Sequence, residues 1–156
     1  MLLGLILALG MWNWYHRRGR YRSRVAAVDV AREALRGLVS VPEDGILAGQ
    51  AGRVLRVYLT AALPTLPSVE LTADEIALAL PKSAPWLGEA LLRAVTDFLR
   101  ECDRRKYGWE PVPQAPGAKL VARAADLVER VESARAAEVL RVPPVLSPVP
   151  NSKEGR

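Results

Sequence analysis

The first eleven residues, MLLGLILALGM, carry no charge and would present apolar side chains in every direction around a helix. A helix that is apolar all round belongs in hydrocarbon or in a deep protein core, whereas a helix lying on a membrane surface needs a polar face. This stretch therefore restricts the fold more than any other part of the chain. It predicts a transmembrane anchor over residues 1–16, with a buried helix over residues 2–15 as the alternative.

The residues directly behind the apolar run favour the anchor. Trp12, Trp14 and Tyr15 have the amphipathic rings that collect at membrane interfaces. A basic juxtamembrane segment follows at residues 17–24, and its five basic side chains are Arg17, Arg18, Arg20, Arg22 and Arg24. Because basic residues mark the cytoplasmic side of a span and attract anionic lipid headgroups, we expect a single-pass protein with a cytoplasmic body.

Two other properties of this segment bear on the anchor. A cleaved export signal has basic residues before its apolar run and a small-residue cleavage site after it; here nothing basic precedes Leu2, and the Ala8–Gly10 triplet comes too early. A helix over residues 1–15 rises only about 22 Å, against roughly 30 Å of hydrocarbon. Three explanations for the short span are open: arginine side chains that snorkel to the headgroups, a start upstream of Met1, and local thinning of the bilayer. The first two together are favoured.

The formal net charge of +5 is concentrated in the same short segment. Its five arginines leave 17 basic residues against all 17 acidic residues in the remainder of the chain, so the body is neutral. A nucleic-acid-binding protein usually spreads basic residues over a face. The charge distribution therefore disfavours nucleic acid as a partner, although an arm formed by Arg17–Arg24 stays an alternative function.

Amphipathic helical patterns fill most of the body, and we expect an all-α fold. A small cytoplasmic domain of four to five helices is predicted over residues 25–108. A linker at 109–117, a further amphipathic helix at 118–142 and a disordered proline-rich tail at 143–156 would follow. The pattern leaves open whether the helix at 118–142 docks on the body or projects as a partner helix.

The clearest element boundary is the string LTADE. Thr72 and Glu75 have the spacing of a reciprocal capping box, in which each side chain accepts a hydrogen bond from the backbone of the other. We expect this helix to end before Pro81. The longest helix is then expected to open at Ser83 and Pro85 and to end in a left-handed cap at Gly108.

The chain offers few residues for catalysis or metal binding. Its one histidine, His16, and its one cysteine, Cys102, exclude a multi-cysteine site, a disulfide framework and a histidine-rich metal site. Cys102 lies on an apolar stripe and is expected to pack as a small buried hydrophobe. The GQAG string at 49–52 is not followed by the Lys-Ser or Lys-Thr of a phosphate loop. We therefore expect no catalytic residue, cofactor, metal or small-molecule substrate.

Charged and aromatic residues near the end of the long helix are candidate surface features. Arg93, Asp97, Glu101 and Arg105 lie four residues apart, which is typical of an ordinary solvated helix face. Tyr107 and Trp109 flank Gly108 at the start of the linker. They are predicted either to fold back over the helix end or to provide a docking spot for a protein partner.

The order of several features resembles a known group of membrane proteins. The basic foot HRRGRYR, the helical strings AREALRGL and GRVLRVYLTAALP, the cap in LTADEIALAL and the helix LLRAVTDFLRECDRRKYG carry the resemblance, which covers roughly Leu2 to Gly108. They resemble the carboxyl-terminal cytoplasmic domains of bacterial Bat-type membrane proteins and related small families of unknown function. Genes for such proteins cluster with a MoxR-type AAA+ ATPase and von Willebrand factor A domain proteins.

The resemblance implies a bacterial inner-membrane location and a protein partner, such as the AAA+ ATPase or the von Willebrand factor A protein. Together with the anchor and the lack of catalytic motifs, it leads us to expect a non-enzymatic single-pass adaptor. Unlike the larger members of this group, the chain is expected to have no periplasmic β-domain before the span, and the helix and tail follow Gly108. The alternatives are a structural accessory subunit of another membrane complex and the nucleic-acid binder described above.

Overall fold

The computed structural model describes residues 27–42, 44–108 and 117–141, and these ranges form five helices with no strand among them. Helix α1 covers residues 27–38, and the others, in chain order, are α2 (Gly45–Ala62), α3 (Ala73–Ser83), α4 (Glu89–Tyr107) and α5 (Gly117–Arg141). The prediction of an all-α body is therefore confirmed.

The predicted anchor lies outside the described ranges. Within those ranges, no helix combines the length and the apolar character that crossing a bilayer requires. Trp12, Trp14, Tyr15 and the five arginines of residues 17–24 also lie outside them, as do Trp109 and the predicted tail at 143–156. The transmembrane helix and its interface residues thus stay predictions.

Helices α2 and α4 form the centre of the packing. Helix α4 packs against α2, α3 and α5, and α2 also packs against α5. The inward side chains Leu47, Leu55 and Leu59 of α2 have no exposed surface. The inward face of α5, with Leu120, Val128 and Val131, is buried in the same core. The helix predicted at 118–142 therefore docks on the body.

Glycines of α2 allow a close approach to α4. A Cβ atom on Gly45 would lie 2.8 Å from the backbone carbonyl oxygen of Arg105, and one on Gly52 would lie 3.0 Å from Cβ of Cys102. A larger residue at either position would press on α4. The GQAG string thus belongs to a helix–helix contact, a role for which its composition gave no indication.

Polar caps fix the starts of α2 and α3. The Asp44 side chain accepts a hydrogen bond from the Leu47 N–H at 2.8 Å. At the start of α3 the Thr72 N–H donates to Glu75 Oε2 at 2.8 Å, and the Glu75 N–H donates to Thr72 Oγ1 at 3.3 Å. The predicted capping box is therefore confirmed.

Two predicted helix boundaries near prolines are wrong, namely the end of α3 and the start of α4. Helix α3 continues through Pro81 to Ser83, and the Ala84 N–H donates to the Leu80 carbonyl at 2.8 Å. Because Pro81 lies in the last turn, it removes a single hydrogen bond close to a helix end. Helix α4 starts at Glu89 rather than at Ser83, because Leu87 turns back to donate to the Ala84 carbonyl.

The far end of α4 also differs from the prediction. Gly108 has extended backbone angles, φ −77° and ψ 147°, so it is not a left-handed cap. Its N–H still donates to the Arg104 carbonyl at 2.6 Å, which closes the last turn without a positive φ. With 19 residues α4 is shorter than the 25-residue α5, so the expectation that α4 is the longest helix is wrong as well.

Candidate functional site

A cleft of about 410 Å³ lies where α2, the carboxyl end of α4 and residues 69–72 meet. We call it the polar cleft, and its charged and aromatic side chains are Arg53, Arg56, Glu70, Asp103, Lys106 and Tyr107. Both helices belong to the packed core. The side chains that they present are therefore held on a rigid support.

Arg56 forms the inner wall of the polar cleft. Its guanidinium makes two hydrogen bonds from Nη2 to Asp103, at 2.9 Å and 2.8 Å, and its Nε donates to the Leu71 carbonyl at 3.0 Å. Only 13% of its side chain is exposed. Arg56 thus links α2, α4 and the segment before α3, and its charge is already matched by Asp103.

The outer rim of the polar cleft presents an aromatic ring beside a lysine, and the Glu70 carboxylate also lines the cleft. Tyr107 is 75% exposed, and Lys106 Nζ lies 4.6 Å from the centre of its ring. The stem of Lys106 crosses α2 at Gly49, where a Cβ would lie 3.1 Å from Cδ. Tyr107, one of the two residues predicted as a docking spot, thus faces solvent. The other, Trp109, lies outside the described residues.

A second depression, which we call the apolar groove, runs between α1 and α2. It has a volume of about 540 Å³, and its walls include Ala27, Val30, Ala34, Val54, Val57 and Ala61. Val30 is 61% exposed and Val57 is 42% exposed. Polar side chains enter the groove at Gln50 and Arg53, and Arg53 also lines the polar cleft. The two depressions are therefore neighbours that share Arg53.

The apolar groove was not predicted from the sequence. On α1 the groove is lined by residues 27, 30, 31, 34 and 38. These residues share one face of the helix, and that face extends past the residues that point into the core. Val30 and Val57 are the signal that could have revealed it, since both are apolar residues placed outside the inward face of an amphipathic helix.

Cys102 is buried as predicted. Burial raises the pKa of its thiol to about 12, and the neighbouring Glu101 carboxylate acts in the same direction. The nucleophilic thiolate is therefore disfavoured near neutral pH. Among the residues that the structure describes, no three His, Cys, Asp or Glu side chains lie close enough together to hold a metal ion.

The predicted solvated stripe on α4 needs correction. Glu101 is only 17% exposed, because α5 covers this part of α4. Its carboxylate accepts a hydrogen bond from Arg105 at 2.5 Å and another from Arg123 of α5 at 2.6 Å. At the other end of the stripe, Arg93 pairs with Glu89. Glu101 is therefore part of the α4–α5 contact.

Comparison of the chain with protein-family models, curated proteins and solved structures gives no match.

Proposed function

We propose that this chain is a membrane-tethered adaptor whose helical body binds a protein partner at the cytoplasmic face of a bacterial inner membrane. One observation carries the proposal, namely the exposed Tyr107 on a cleft rim that also presents Lys106 and Arg53. Tyrosine and arginine are enriched among the residues that dominate binding energy at protein interfaces. The rim thus has the composition of a docking site.

Two cations of the rim, Arg53 and Lys106, favour an acidic partner segment, with Glu70 the opposing charge in the same lining. The Arg56 charge is matched by Asp103, so Arg53 and Lys106 are the cations that the cleft offers to a ligand. A carboxylate near them would gain charge-assisted hydrogen bonds, and an aromatic or aliphatic side chain could cover the Tyr107 ring. Helices α2 and α4 and the segment at residues 69–72 hold this rim in place.

The tether and the identity of the partner rest on the sequence. The uncharged run, the aromatic residues at 12–15 and the arginines at 17–24 support attachment to a membrane with anionic headgroups. The resemblance to Bat-type proteins suggests a MoxR-type AAA+ ATPase or a von Willebrand factor A protein as the partner.

Site-specific photo-crosslinking tests the proposed docking site. The full chain would carry a photoreactive phenylalanine at position 107 or, as a control, at position 78 of α3, where Leu78 is equally exposed. After irradiation of intact cells, we expect position 107 to give an adduct with the ATPase or the von Willebrand factor A protein. Adducts of neither protein at position 107, or the same adducts at position 78, would contradict the proposed docking.

The tether has a separate test. Washing membranes at alkaline pH removes peripheral proteins but leaves spanning proteins in place. We expect the full chain to stay in the membrane fraction and a chain lacking residues 1–24 to be released. Release of the full chain by the same wash would rule out a transmembrane anchor.

A further inference from the structure

We propose that the apolar groove binds a single-chain anionic amphiphile, a carboxylate with a hydrocarbon chain of about ten to twelve carbons. The carboxylate would pair with Arg53, and the chain would lie between α1 and α2. This site shares Arg53 with the polar cleft, but the proposal does not depend on the protein-docking function proposed above.

The walls of the groove suit a hydrocarbon chain. They are built mainly from valine and alanine methyl groups of two neighbouring helices, such as Val30 and Ala34 of α1 and Val54 and Val57 of α2. Small-molecule sites in proteins have volumes of roughly 300 to 1,000 Å³ and mostly apolar linings with a few placed polar groups. At about 540 Å³ the groove falls within that range.

The charge at one end of the groove specifies the head group. Gln50 and Arg53 also line a neighbouring depression that contains Lys106 and Asp44, whose carboxylate accepts a hydrogen bond from the Leu47 N–H, so a head group at Arg53 has room beside it. No carboxylate lines the groove itself, and within the described residues Arg53 forms no ion pair. Because a guanidinium can donate two parallel hydrogen bonds to a carboxylate, Arg53 favours an anionic head group.

The length of the groove limits the length of the chain. Arg53 and Ala61 are eight residues apart on α2, which is about 12 Å along the helix axis. A zigzag of about ten carbon–carbon bonds, each about 1.5 Å long, spans that distance. We therefore expect affinity to rise with chain length up to ten to twelve carbons and then to level off.

Photoaffinity labelling with a defined probe tests this site. The full chain in phosphatidylcholine nanodiscs would be irradiated with dodecanoate that carries a diazirine in its chain, and the labelled peptides would be mapped by mass spectrometry. We expect adducts on α1 and α2 that excess dodecanoate removes. Dodecanol has the same chain without the carboxylate and should compete at least tenfold less well.

Two matched pairs of variants make the result specific. Arg53→Gln should reduce labelling about tenfold, whereas Arg130→Gln, at an exposed arginine of α5, should leave it unchanged. Val57→Glu should abolish labelling because it places a charge in the groove, whereas Leu78→Glu on α3 should not. Circular dichroism would confirm that each variant keeps its helix content.

Competition by a series of carboxylates tests the predicted length. From octanoate to dodecanoate, each added methylene should increase the affinity of the competitor about two- to fourfold. Full burial of a methylene would give about fourfold, and partial burial would give less. The proposal is overturned if dodecanol competes as well as dodecanoate or if Arg53→Gln labels normally. It is also overturned if an amphipathic helical peptide displaces the probe and dodecanoate does not.

Discussion

At the scale of single residues, the glycines of α2 differ in what surrounds them. A Cβ on Gly45 would meet a backbone carbonyl oxygen of α4, at 2.8 Å, which can move only if α4 moves. A Cβ on Gly49 would meet the Cδ of Lys106 at 3.1 Å, and this flexible side chain can adopt another rotamer. The same substitution should therefore have opposite effects at the two positions.

We predict that Gly49→Ala stabilises the protein by up to about 1 kcal/mol, because alanine is the better helix former in a helix interior. Gly45→Ala should destabilise it by about 1 to 3 kcal/mol, the usual cost of overpacking. Thermal unfolding followed by far-ultraviolet circular dichroism measures both. Equal stability of the two variants would show that α2 and α4 are not in such close contact at Gly45.

The buried Tyr58 joins α2 to α5 through its hydroxyl group. The O–H donates to Glu132 Oε1 at 2.7 Å, and burial together with the Glu132 carboxylate raises the pKa of the phenol well above its usual range. We predict that Tyr58→Phe lowers the free energy of unfolding by about 1 to 2 kcal/mol. Tyr107→Phe is the matched control, and at this exposed position we expect no measurable change.

At the scale of single elements, the capping box determines where α3 begins. Thr72→Ala should lower the free energy of unfolding by about 1 kcal/mol, because the Glu75 N–H loses its acceptor. Thr72→Ser keeps a hydroxyl at the cap and should restore most of the stability. Hydrogen exchange of amides in the first turn of α3 gives a local readout, and unchanged exchange in Thr72→Ala would contradict this role.

Two carboxylates, Glu75 in the cap of α3 and Glu129 in the contact between α1 and α5, make stability depend on pH. Hydrogen bonds from Thr72 lower the pKa of Glu75, and the hydrogen bond from Arg32 lowers the pKa of Glu129. A carboxylate whose pKa is depressed in the folded state stabilises above its unfolded pKa, and this contribution is lost as the pH falls through the folded pKa. The stabilising effect of both groups should therefore be complete at neutral pH and decline below about pH 4.5.

The unfolding midpoint measured between pH 7 and pH 3 tests this dependence. Glu75→Gln and Glu129→Gln each remove one titrating group, so each should make the decline below about pH 4.5 shallower. Glu33→Gln on the exposed surface of α1 serves as the control. Equal slopes for all three variants would show that these two carboxylates do not govern the acid response.

What the sequence could predict depends on how local the cause is. The Thr72–Glu75 cap lies within four residues, so its spacing was sufficient. The ends around Pro81 depend on packing, because Leu80, Ala84 and Leu87 are all buried and draw the connecting turn into the core. Proline chemistry alone therefore gave the wrong boundary.

The candidate site shows the same limit. Tyr107 was predicted either to fold back over the helix end or to provide a docking spot, and the structure leaves it exposed. The burial of Glu101 requires Arg123, which lies 22 positions away on another helix. The apolar groove requires two helices to be placed side by side. Neither pairing can be derived from the periodicity of one helix.

At the scale of the whole molecule, α5 completes the core. The domain predicted from the sequence ends at Gly108, yet α5 buries apolar side chains against the preceding helices. Ion pairs reinforce this contact, with Arg32 of α1 bonded to Glu129 at 2.7 Å and 2.9 Å and Arg123 bonded to Glu101 at 2.6 Å. The packed unit therefore extends from α1 to α5.

We predict that a chain ending at Gly108 does not fold cooperatively, whereas a chain ending at Arg141 unfolds like the full chain. Deleting α5 removes the burial of five large side chains, Leu120, Val121, Leu127, Val128 and Val131. Burying each of these side chains contributes about 1.5 to 3 kcal/mol. The loss of all five is therefore comparable to the whole free energy of unfolding of a typical domain, about 5 to 15 kcal/mol. It also exposes Phe98 and Tyr58, which are buried in the complete body.

Near-ultraviolet circular dichroism and thermal unfolding of both truncated chains make the comparison. If the chain ending at Gly108 kept a cooperative transition within a few degrees of the full chain, α5 would be an appendage and the body would be complete with four helices.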